Sequence, residues 1–348
     1  MNFLPRSKGI LWVQGFRQVT HFRVSGVFFK YFWFHLLILI TLILCLVSAC
    51  GNNVSSDSVS DSPLQTSDCR IVEHAMGETC VPLNPQRVVT IDPFSLENVL
   101  AFGIQPIGVA MSPDWLNDRD YLRDRLSGIE AVGNFTQPSL EKILALKPDL
   151  ILGLTEDEKI YSQLTKIAPT VLFNFESSGQ WKDILMHNAE TLGMTDVKNQ
   201  LMVSYGDRLA DFKAQMGTRL QQLEVSIIRI YPNTISIYTS DTFVGSIIED
   251  AGLARPLLQT PTGQLDISKE SLQIADGDVI FLWNNESGQS QQEVQTEIAK
   301  LKADPLWQRL KAVQQGQVYE VPSYWIGSSI LSANAVIDDL FKYLIEEQ

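Results

Sequence analysis

Histidine and cysteine are scarce in this chain of 348 residues, which contains four of each. Beyond the first 49 residues, histidine occurs only at His74 and His187, far apart in the sequence. Two such histidines do not predict a transition-metal cage, because a cage needs three or four clustered ligands. We expect both to be packed or solvated side chains, and we predict no metal site and no resident cofactor.

Sequence motifs of the common enzyme classes are also missing. The chain has no GxxxxGK[ST], GxGxxG, GxSxG or HExxH pattern. It therefore lacks the phosphate loop, the dinucleotide loop, the serine nucleophile and the zinc site that these patterns carry. This favours a binding protein over an enzyme, which would need a nucleophile or a redox cofactor in a cleft. A structural adhesion domain is a third class, and it would need no aromatic cleft.

Acidic residues are absent up to Ser56, whereas five Lys or Arg residues precede an apolar run over 31–47. This pattern predicts an export signal over 1–49. The small residues directly before Cys50 resemble the lipobox of bacterial lipoproteins, which implies cleavage before Cys50 and lipid on its thiol. A retained membrane-spanning helix is the alternative, because about 20 apolar residues span a bilayer. The Ser- and Asp-rich residues 50–68 predict a disordered tether.

Basic residues are few in the remainder of the chain. Without the five in the signal, 22 of the 27 Lys and Arg residues stand against 40 Asp and Glu residues, a net charge near −18. So acidic a surface repels nucleic acid and anionic lipid head groups. We therefore expect no nucleic-acid partner, and we expect a monomer.

Cys69 and Cys80 flank the segment RIVEHAMGET, whose β-branched positions and central Ala-Met-Gly predict a β-hairpin. Facing cysteines in an exported hairpin predict a disulfide, worth about 2–3 kcal/mol for so short a loop. A pair of free thiols that binds a metal is the less favoured interpretation.

The rest of the chain alternates short apolar runs with amphipathic segments, which predicts parallel α/β structure. Apolar residues recur at three- and four-residue steps over 195–223 and predict one long helix. Its flanks match without a gap, SLEKILALKPDLIL over 139–152 against SKESLQIADGDVIF over 268–281. We therefore predict two similar Rossmann-like α/β lobes, 69–194 and 224–348, joined by this helix with a cleft between them. An ordinary packing helix within a single domain is the alternative.

Aromatic residues fall at or just after several predicted strands, where ligands collect in open parallel sheets. Core packing can explain any one of them, whereas several around one cleft would suit a bulky or flat ligand. Arg229 lies inside the apolar strand SIIRIY and must meet an anion, either a ligand or an internal carboxylate. The candidate ligand-binding residues are Trp115, Arg229, Tyr231, Trp283, Tyr324 and Trp325. The predicted strand ends of the first lobe are 92–94, 111–115, 153–156 and 174–177, with the loop 133–137 beside them.

Glu141 and Glu270 occupy matching positions in the two similar segments, each at the predicted start of a helix. Helix capping accounts for both, at about 0.3–1 kcal/mol each. The alternative is a pair of acidic knobs, one per lobe, that meet basic sockets on a membrane partner.

Several stretches of the chain, in order, resemble one family. They are GETCVPLNPQRVVTIDPFSLENVLAFGIQPIGVA, VGNFTQPSLEKILALKPDLILG, IAPTVLF, DPLWQRLKAVQQGQVYEVPSYW and DDLFKYL. Together they are similar to the periplasmic iron-siderophore receptors of ABC importers, whose two lobes share a single long helix. The resemblance runs from about Cys69 to the C-terminus, and the cysteine hairpin looks like an extra seen in cyanobacterial members.

The resemblance implies a periplasmic, lipid-anchored receptor that holds a ferric chelate between its lobes and delivers it to a permease dimer with its ATPase. It implies permease docking for Glu141 and Glu270. It implies ligand contact for the strand that carries Arg229 and for the aromatic segment 324–325. Haem and cobalamin receptors share the fold and are the alternative; an extracytoplasmic enzyme that acts on the chelate is a further one.

Overall fold

The computed structural model describes residues 69–117, 119–231, 234–259, 263–283 and 290–346, the side chains of 290 and 291 excepted. The predicted signal 1–49, the tether 50–68 and the lipidation residue Cys50 lie outside these ranges. Residues 65–348 form one compact unit. Among the helices in the described ranges, none combines the length and the apolar character needed to cross a bilayer.

The described residues of the N-terminal lobe form nine strands and five α-helices. The strands are β1 (Cys69–His74), β2 (Gly77–Pro82), β3 (Val88–Thr90), β4 (Gly108–Val109), β5 (Glu130–Ala131), β6 (Gly133–Asn134), β7 (Gln137–Pro138), β8 (Leu150–Leu154) and β9 (Thr170–Phe173). The helices are α1 (Pro93–Ala101), α2 (Pro113–Asn117), α3 (Leu140–Leu146), α4 (Tyr161–Leu164) and α5 (Trp181–Leu192), with 3-10 helices at Asp120–Arg125, Thr155–Ile160 and Ser178–Gln180.

A parallel sheet with strand order β5-β4-β3-β8-β9 forms the centre of this lobe. Its strands are continuous apolar runs because both faces of the sheet are covered. In β8, Leu150 and Leu152 pack into one apolar cluster and Ile151 packs into another on the opposite face. Because the strands are parallel, their carboxyl ends lie together at one edge of the sheet.

The hairpin of β1 and β2 carries the predicted disulfide between Cys69 and Cys80, whose Cα atoms are 5.6 Å apart. This confirms the pairing. Hydrogen bonds attach the hairpin to the lobe: Ala75 N donates to Leu172 O at 3.0 Å, Arg70 Nη1 donates to Thr191 O at 2.8 Å, and Thr79 Oγ1 donates to Thr170 O at 3.2 Å. It therefore extends the lobe beyond its central sheet.

The long helix between the lobes, α6 (Thr195–Met216), confirms the prediction, and it continues as a 3-10 helix over Gly217–Gln221. At about 1.5 Å per residue the α-helical part spans roughly 33 Å. Its buried face consists of Tyr205, Leu209, Phe212 and Met216, which belong to the predicted apolar stripe. The α-helix ends earlier than predicted because Gly217 has φ 54°, which favours glycine and breaks the regular turn.

In the part of the C-terminal lobe that the structure describes there are five strands and four α-helices. The strands are β10 (Val225–Tyr231), β11 (Thr234–Tyr238), β12 (Gln264–Ile267), β13 (Val279–Trp283) and β14 (Val318–Val321). The helices are α7 (Phe243–Asp250), α8 (Ser290–Lys302), α9 (Lys311–Gln314) and α10 (Ile330–Phe341), with 3-10 helices at Leu257–Gln259, Lys269–Ala275, Trp307–Arg309 and Ser323–Ile326 and a π-helical end at Lys342–Glu346.

The sheet of this lobe has the order β12-β11-β10-β13-β14. The pairs β10–β13 and β13–β14 are parallel, whereas β10–β11 and β11–β12 are antiparallel. The predicted hairpin of β10 and β11 is confirmed, and the edge strand β12 was missed. Two separate sheets joined by α6 make an α/β fold of two lobes, as predicted; the lobe boundaries themselves stay a prediction.

The lobes share one apolar core around α6. Trp181 of the first lobe packs edge-on against Phe243 of the second, with ring centroids 5.7 Å apart. Phe212 of α6 belongs to the same buried cluster. Shared burial of large aromatic groups stabilises the relative position of the lobes, since separating them would expose this surface to water.

Candidate ligand-binding site

A cavity of about 560 Å³ is lined by residues of both lobes. Its volume is within the range of about 300–1,000 Å³ that is usual for small-molecule sites. Seven of its lining residues are aromatic: Phe94, Trp115, Phe135, Phe175, Tyr238, Phe243 and Trp325. The cavity can therefore offer a bulky ligand a large apolar contact surface.

The N-terminal lobe places its lining residues at the predicted strand ends. Phe94 follows β3 and Glu156 follows β8, while Phe175 follows β9. Phe135 lies in the turn between β6 and β7, and its side chain is 48% exposed. The rule that ligand sites form at the carboxyl ends of parallel strands thus predicts this wall.

Trp115, a predicted ligand residue, lines the cavity together with Arg119. The guanidinium carbon of Arg119 lies 4.0 Å from the centroid of the Trp115 ring. Arg119 adopts φ −103° and ψ 64° between α2 and the following 3-10 helix, and this break in the helix brings its side chain back over the ring. A cation over an indole face is favourable and fixes both side chains.

Arg229 lies between two aromatic rings in the C-terminal lobe. Its guanidinium carbon is 3.9 Å from the centroid of Tyr231 and 3.7 Å from that of Trp283. Its Nη1 donates to the Tyr238 hydroxyl at 2.9 Å, and the Tyr231 hydroxyl lies 3.4 Å from the same oxygen. Arg229 and Trp283 are directly opposite each other in the register of β10 and β13, so both side chains stand on one face of the sheet.

These three predicted residues adjoin the cavity through Tyr238, a lining residue, and none of the three is among the lining residues in the described ranges. The structure places them beside one another, and their predicted contact with a ligand stays a prediction. It did not reveal that Tyr238 stands between them and the cavity, because Tyr238 comes from the antiparallel strand β11.

Trp325 and Tyr324 are the remaining predicted ligand residues, and both contact Asp339. Trp325 is fully buried and lines the cavity, and its Nε1 donates to Asp339 Oδ2 at 2.7 Å. Tyr324 donates its hydroxyl to the same oxygen at 2.8 Å and packs edge-on against Tyr121. Tyr324 does not line the cavity in the described part of the chain.

Charged groups at the cavity are mostly acidic. Glu156, Glu176 and Asp241 line it with exposed side chains, and Arg119 is the one base among the lining residues that the structure describes. The Asp241 carboxylate accepts a hydrogen bond from Ser177 Oγ at 3.0 Å, which links the two lobes at the cavity edge. The lining therefore carries a negative net charge at neutral pH.

Two buried carboxyl groups lie next to this wall. Asp92 accepts a hydrogen bond from Ser95 N at 2.8 Å and so caps α1; burial raises the pKa of Asp92 to about 6. Burial, followed by the charge of Asp92, raises the pKa of Asp157 to about 7. Both carboxyls therefore titrate well above the usual range of aspartate.

Further polar contacts join the lobes on two sides of the cavity. On one side, Phe243 N donates to Ser178 Oγ and Trp181 Nε1 donates to Ser246 Oγ, each at 3.0 Å. On the other side, the fully buried Glu97 of α1 accepts hydrogen bonds at the start of α10. The donors are Ser328 Oγ at 3.0 Å, Ser329 Oγ at 2.7 Å and Ser332 Oγ at 3.0 Å, and Tyr121 donates to the same carboxylate at 2.7 Å.

The two predicted docking acids occupy exposed, matching positions. Glu141 lies in the first turn of α3, after Ser139, whose side chain accepts from Lys142 N. Glu270 lies in the first turn of the 3-10 helix Lys269–Ala275, and a hydrogen bond from Ser268 lowers the pKa of Glu270. Both are thus surface groups at helix starts, which leaves capping and docking equally compatible with their geometry.

Neither histidine lies in the cavity lining of the described residues. His74 Nε2 is 2.9 Å from Thr79 Oγ1, and burial lowers the pKa of His74. His187 stacks on Phe173 with ring centroids 5.5 Å apart. In the described ranges, no cluster of three His, Cys, Asp or Glu side chains is arranged to hold a metal ion.

Residues 88–325 match a protein family described as periplasmic binding protein. The chain belongs to this family. Members of the family bind solutes, and the protein is a binding protein and not an enzyme.

Similar proteins include receptors for iron chelates. The chain is 35% identical over 314 residues to a probable siderophore-binding lipoprotein, YfiY of Bacillus subtilis, covering 86% of this chain and 94% of the relative. It is 31% identical over 267 residues to the achromobactin-binding periplasmic protein of Dickeya dadantii, covering 74% and 86% of the two chains. Among solved structures, Staphylococcus aureus SirA complexed with staphyloferrin B has a TM-score of 0.70 and 27% identity, covering 79% of this chain and 98% of SirA.

Sequence reasoning missed part of the wall from the C-terminal lobe, although Trp325 of this wall was a predicted ligand residue. Tyr238 ends the antiparallel strand β11, and Thr242 and Phe243 follow at the start of α7. The rule for parallel strands does not apply to these positions. A Thr that precedes an apolar helical run is an N-cap signal, and Thr242 does accept from Gly245 N at 3.1 Å; this signal locates the start of α7 in the sequence but not its place at the cavity.

Proposed function

We propose that this chain is an extracytoplasmic receptor that binds a ferric siderophore between its lobes and delivers it to an ABC permease. The observation that carries the proposal is the 35% identity, over 86% of the chain, with a probable siderophore-binding lipoprotein. The aromatic cavity supports it, because a chelate wraps iron in an organic shell and so needs apolar area and few charges from its receptor.

Within this proposal, Trp115 and Trp325 contact the chelate directly from the cavity lining. Arg229, Tyr231 and Trp283 form one rigid unit behind Tyr238 and act on the ligand through that residue. Tyr324 acts on the site indirectly, as a positioning residue that shares the Asp339 carboxylate with Trp325.

Tryptophan fluorescence tests the binding. Ferric hydroxamate and ferric citrate-type chelates at micromolar concentration should quench it in a saturable way, because Trp115 and Trp325 lie at the cavity. Bound ligand should also raise the melting temperature, since binding to the folded state alone stabilises it. The iron-free chelators and Trp115→Phe are the controls, and the variant should lose part of the quenching. Silence across siderophores, haem and cobalamin would contradict the proposal.

Docking on the permease dimer with its ATPase is assigned, as part of the proposal, to Glu141 and Glu270. Their exposure and matching positions support it. Reversing both to lysine should abolish uptake and leave chelate affinity unchanged. Glu158→Lys with Glu293→Lys, two exposed acids outside the similar segments, is the matched control. If uptake survives the substitution of both Glu141 and Glu270 by lysine, these residues act only as helix caps.

The proposal places the protein in the periplasm as a monomer, anchored through lipid on Cys50. The relatives described as lipoproteins support this location. Metabolic labelling with a radioactive fatty acid should mark the chain and not its Cys50→Ser variant. The kinship of the hairpin with cyanobacterial members stays a prediction, because the relatives named above come from Bacillus, Dickeya and Staphylococcus.

Haem is the less favoured ligand of this fold. A haem iron needs an axial His, Tyr, Met or Cys, and Tyr238 is the one such residue among the described lining residues. Its hydroxyl already accepts a hydrogen bond from Arg229. Absorbance of haem titrated into the protein should show no Soret shift that depends on Tyr238.

A further inference from the structure

The charge of the cavity narrows the class of chelate that it can take. Three carboxylates, those of Glu156, Glu176 and Asp241, face one guanidinium, that of Arg119, among the described lining residues. Charges act over longer range in a cleft with apolar walls than in open water, so they bias which ligands enter. An anionic ligand meets more repulsion than attraction at this lining.

The two arginines closest to the C-terminal wall are both engaged with Tyr238. Arg229 donates to its hydroxyl at 2.9 Å from between two aromatic rings, and Arg255 Nη1 donates to its carbonyl oxygen at 2.6 Å. Arg255 is part-buried there, and burial lowers its pKa to about 10. Tyr238 lines the cavity and neither arginine does, so a ligand contacts the Tyr238 ring before it contacts either guanidinium.

Helix N-termini, which could otherwise attract anions, are already capped by the chain itself. Three helices begin beside the lining: α1, α7 and α10. Asp92 accepts from Ser95 N at 2.8 Å in α1, and Thr242 accepts from Gly245 N at 3.1 Å in α7. At α10, Ser329 accepts from Leu331 N at 3.1 Å and the Glu97 carboxylate lies against the same turn.

The raised pKa values of the buried Asp92 and Asp157, which lie next to the wall, also reflect neighbouring negative charge. After burial, the charge of Asp92 raises the pKa of Asp157, and the charge of Glu156 raises the pKa of both. Carboxyls that disfavour one another's ionisation indicate a region of negative potential, which an approaching anion would also experience.

We propose that the cavity selects ferric chelates of little or no net negative charge, of the hydroxamate kind, and disfavours highly charged anions of the tris-catecholate kind. Ferric iron bound by three hydroxamate monoanions is neutral, whereas iron bound by three catecholate dianions is a trianion. The two classes are similar in size and both are bulky, so charge is what separates them at this lining. The inference rests on the proposed function, since it names the ligand class of the same cavity.

Competing chelates of known charge test the inference on the full-length protein in detergent. The probes are ferrichrome, a neutral tris-hydroxamate, and ferric enterobactin, a tris-catecholate trianion, each titrated by fluorescence quenching. At low ionic strength the neutral probe should bind at least about tenfold more tightly. Added salt screens repulsion, so it should tighten the trianion and leave the neutral probe unchanged. Equal or tighter binding of the trianion at low salt would overturn the inference and leave the proposed function intact.

Removing lining charges gives a second, independent measurement. Glu156→Gln with Glu176→Gln should raise the affinity for the trianion by about tenfold and change that for the neutral probe by less than about twofold. Glu158→Gln with Glu78→Gln removes two exposed acids that do not line the cavity and should change neither affinity. Equal effects of the two double variants would contradict the inference. If neither probe binds at all, both the inference and the proposed function are contradicted.

Discussion

In the N-terminal lobe the five described strands of the central sheet run parallel, whereas in the C-terminal lobe β11 runs antiparallel to both of its neighbours, β10 and β12. Both lobes contain the same unit, which consists of a strand, a helical turn and a neighbouring parallel strand. Asp149 accepts hydrogen bonds from Gln86 N at 2.8 Å and Arg87 N at 2.9 Å, just before β3. Asp278, its match in the similar segment, accepts from Glu224 N at 2.8 Å, just before β10. The two lobes thus repeat one unit down to a single carboxylate.

Connection length explains where the lobes diverge. Only two residues separate β10 from β11, and so short a connection permits an antiparallel neighbour alone. A helix and two loops separate β3 from β4, which is long enough for a parallel crossover. The difference places part of the C-terminal wall on β11 and α7, whereas Trp325 of the same wall follows the end of the parallel strand β14, as the N-terminal wall follows its strand ends.

The lobes also differ in what they supply to a polar contact between them. The N-terminal lobe supplies the acceptor, the Glu97 carboxylate, and the C-terminal lobe supplies three serine donors. Glu97→Ala leaves three serine hydroxyls and the Tyr121 hydroxyl without their acceptor, and should cost about 3–5 kcal/mol of unfolding free energy. Urea denaturation followed by circular dichroism measures it. Glu97→Gln, which keeps one acceptor oxygen, should cost less than half as much. A loss below about 1 kcal/mol for the alanine variant would mean that the lobes are held by their apolar core instead.

Lowering the pH should raise the free energy of unfolding through two buried carboxyl groups of the N-terminal lobe. Folding raises the pKa of Asp92 to about 6 and that of Asp157 to about 7, above the usual 3.8, so the folded chain binds more protons than the unfolded chain between these values. Their contribution is therefore present at low pH and is lost as pH rises to about 7, a change of about 3 kcal/mol from Asp92 alone.

Urea unfolding at several pH values from 4 to 8 shows the effect as a difference from the Asp92→Asn, Asp157→Asn variant, which should lack it. In the C-terminal lobe the sign is opposite, because hydrogen bonds from Gln264 and Ser236 lower the pKa of Asp266. Its contribution is present at neutral pH and lost in acid. A variant with the same pH dependence as the parent would contradict the assignment to Asp92 and Asp157.

The disulfide stabilises only the lobe that carries it. Cys69→Ser with Cys80→Ser should lower the unfolding free energy by about 2–3 kcal/mol, because the open hairpin gains conformational freedom when unfolded. Thermal unfolding with and without reductant measures this, and the reductant should change the parent and leave the double variant unaffected. A parent that reductant does not change would show that the hairpin is held by β1–β2 pairing alone.

The matching aspartates should both contribute to stability if the repeat is a structural one. Asp149→Ala removes the acceptor of two backbone N–H groups at a strand start and should cost about 2 kcal/mol, whereas Asp278→Ala removes the acceptor of one and should cost about 1 kcal/mol. Asp278 also pairs with Lys311, an exposed contact that adds little. Chemical denaturation of both variants makes the comparison. A large loss at one aspartate and none at the other would show that the two segments are alike in sequence and not in role.

Local patterns predicted much of the fold. The stripe over 195–223, the alternation of apolar runs and the cysteines of the hairpin each act through neighbours in the chain, so their outcome could be predicted residue by residue. The antiparallel edge strand β12 was missed because its residues, QLDI, bury only part of each side chain and carry a weak apolar signal. The lipid anchor lies outside the described residues and stays a prediction.

For the site, the sequence alone determined that aromatic residues stand at strand ends and that Arg229 sits in an apolar strand, since both follow from the order of residue types. Only the tertiary structure decided which of them meet. Trp115 and Trp325 line one cavity, Arg229 is enclosed by Tyr231 and Trp283, and Glu97 reaches serines more than two hundred residues away. The physical reason is that these contacts join side chains remote in sequence, and their distances are set by the packing of whole lobes around α6, which no local pattern encodes.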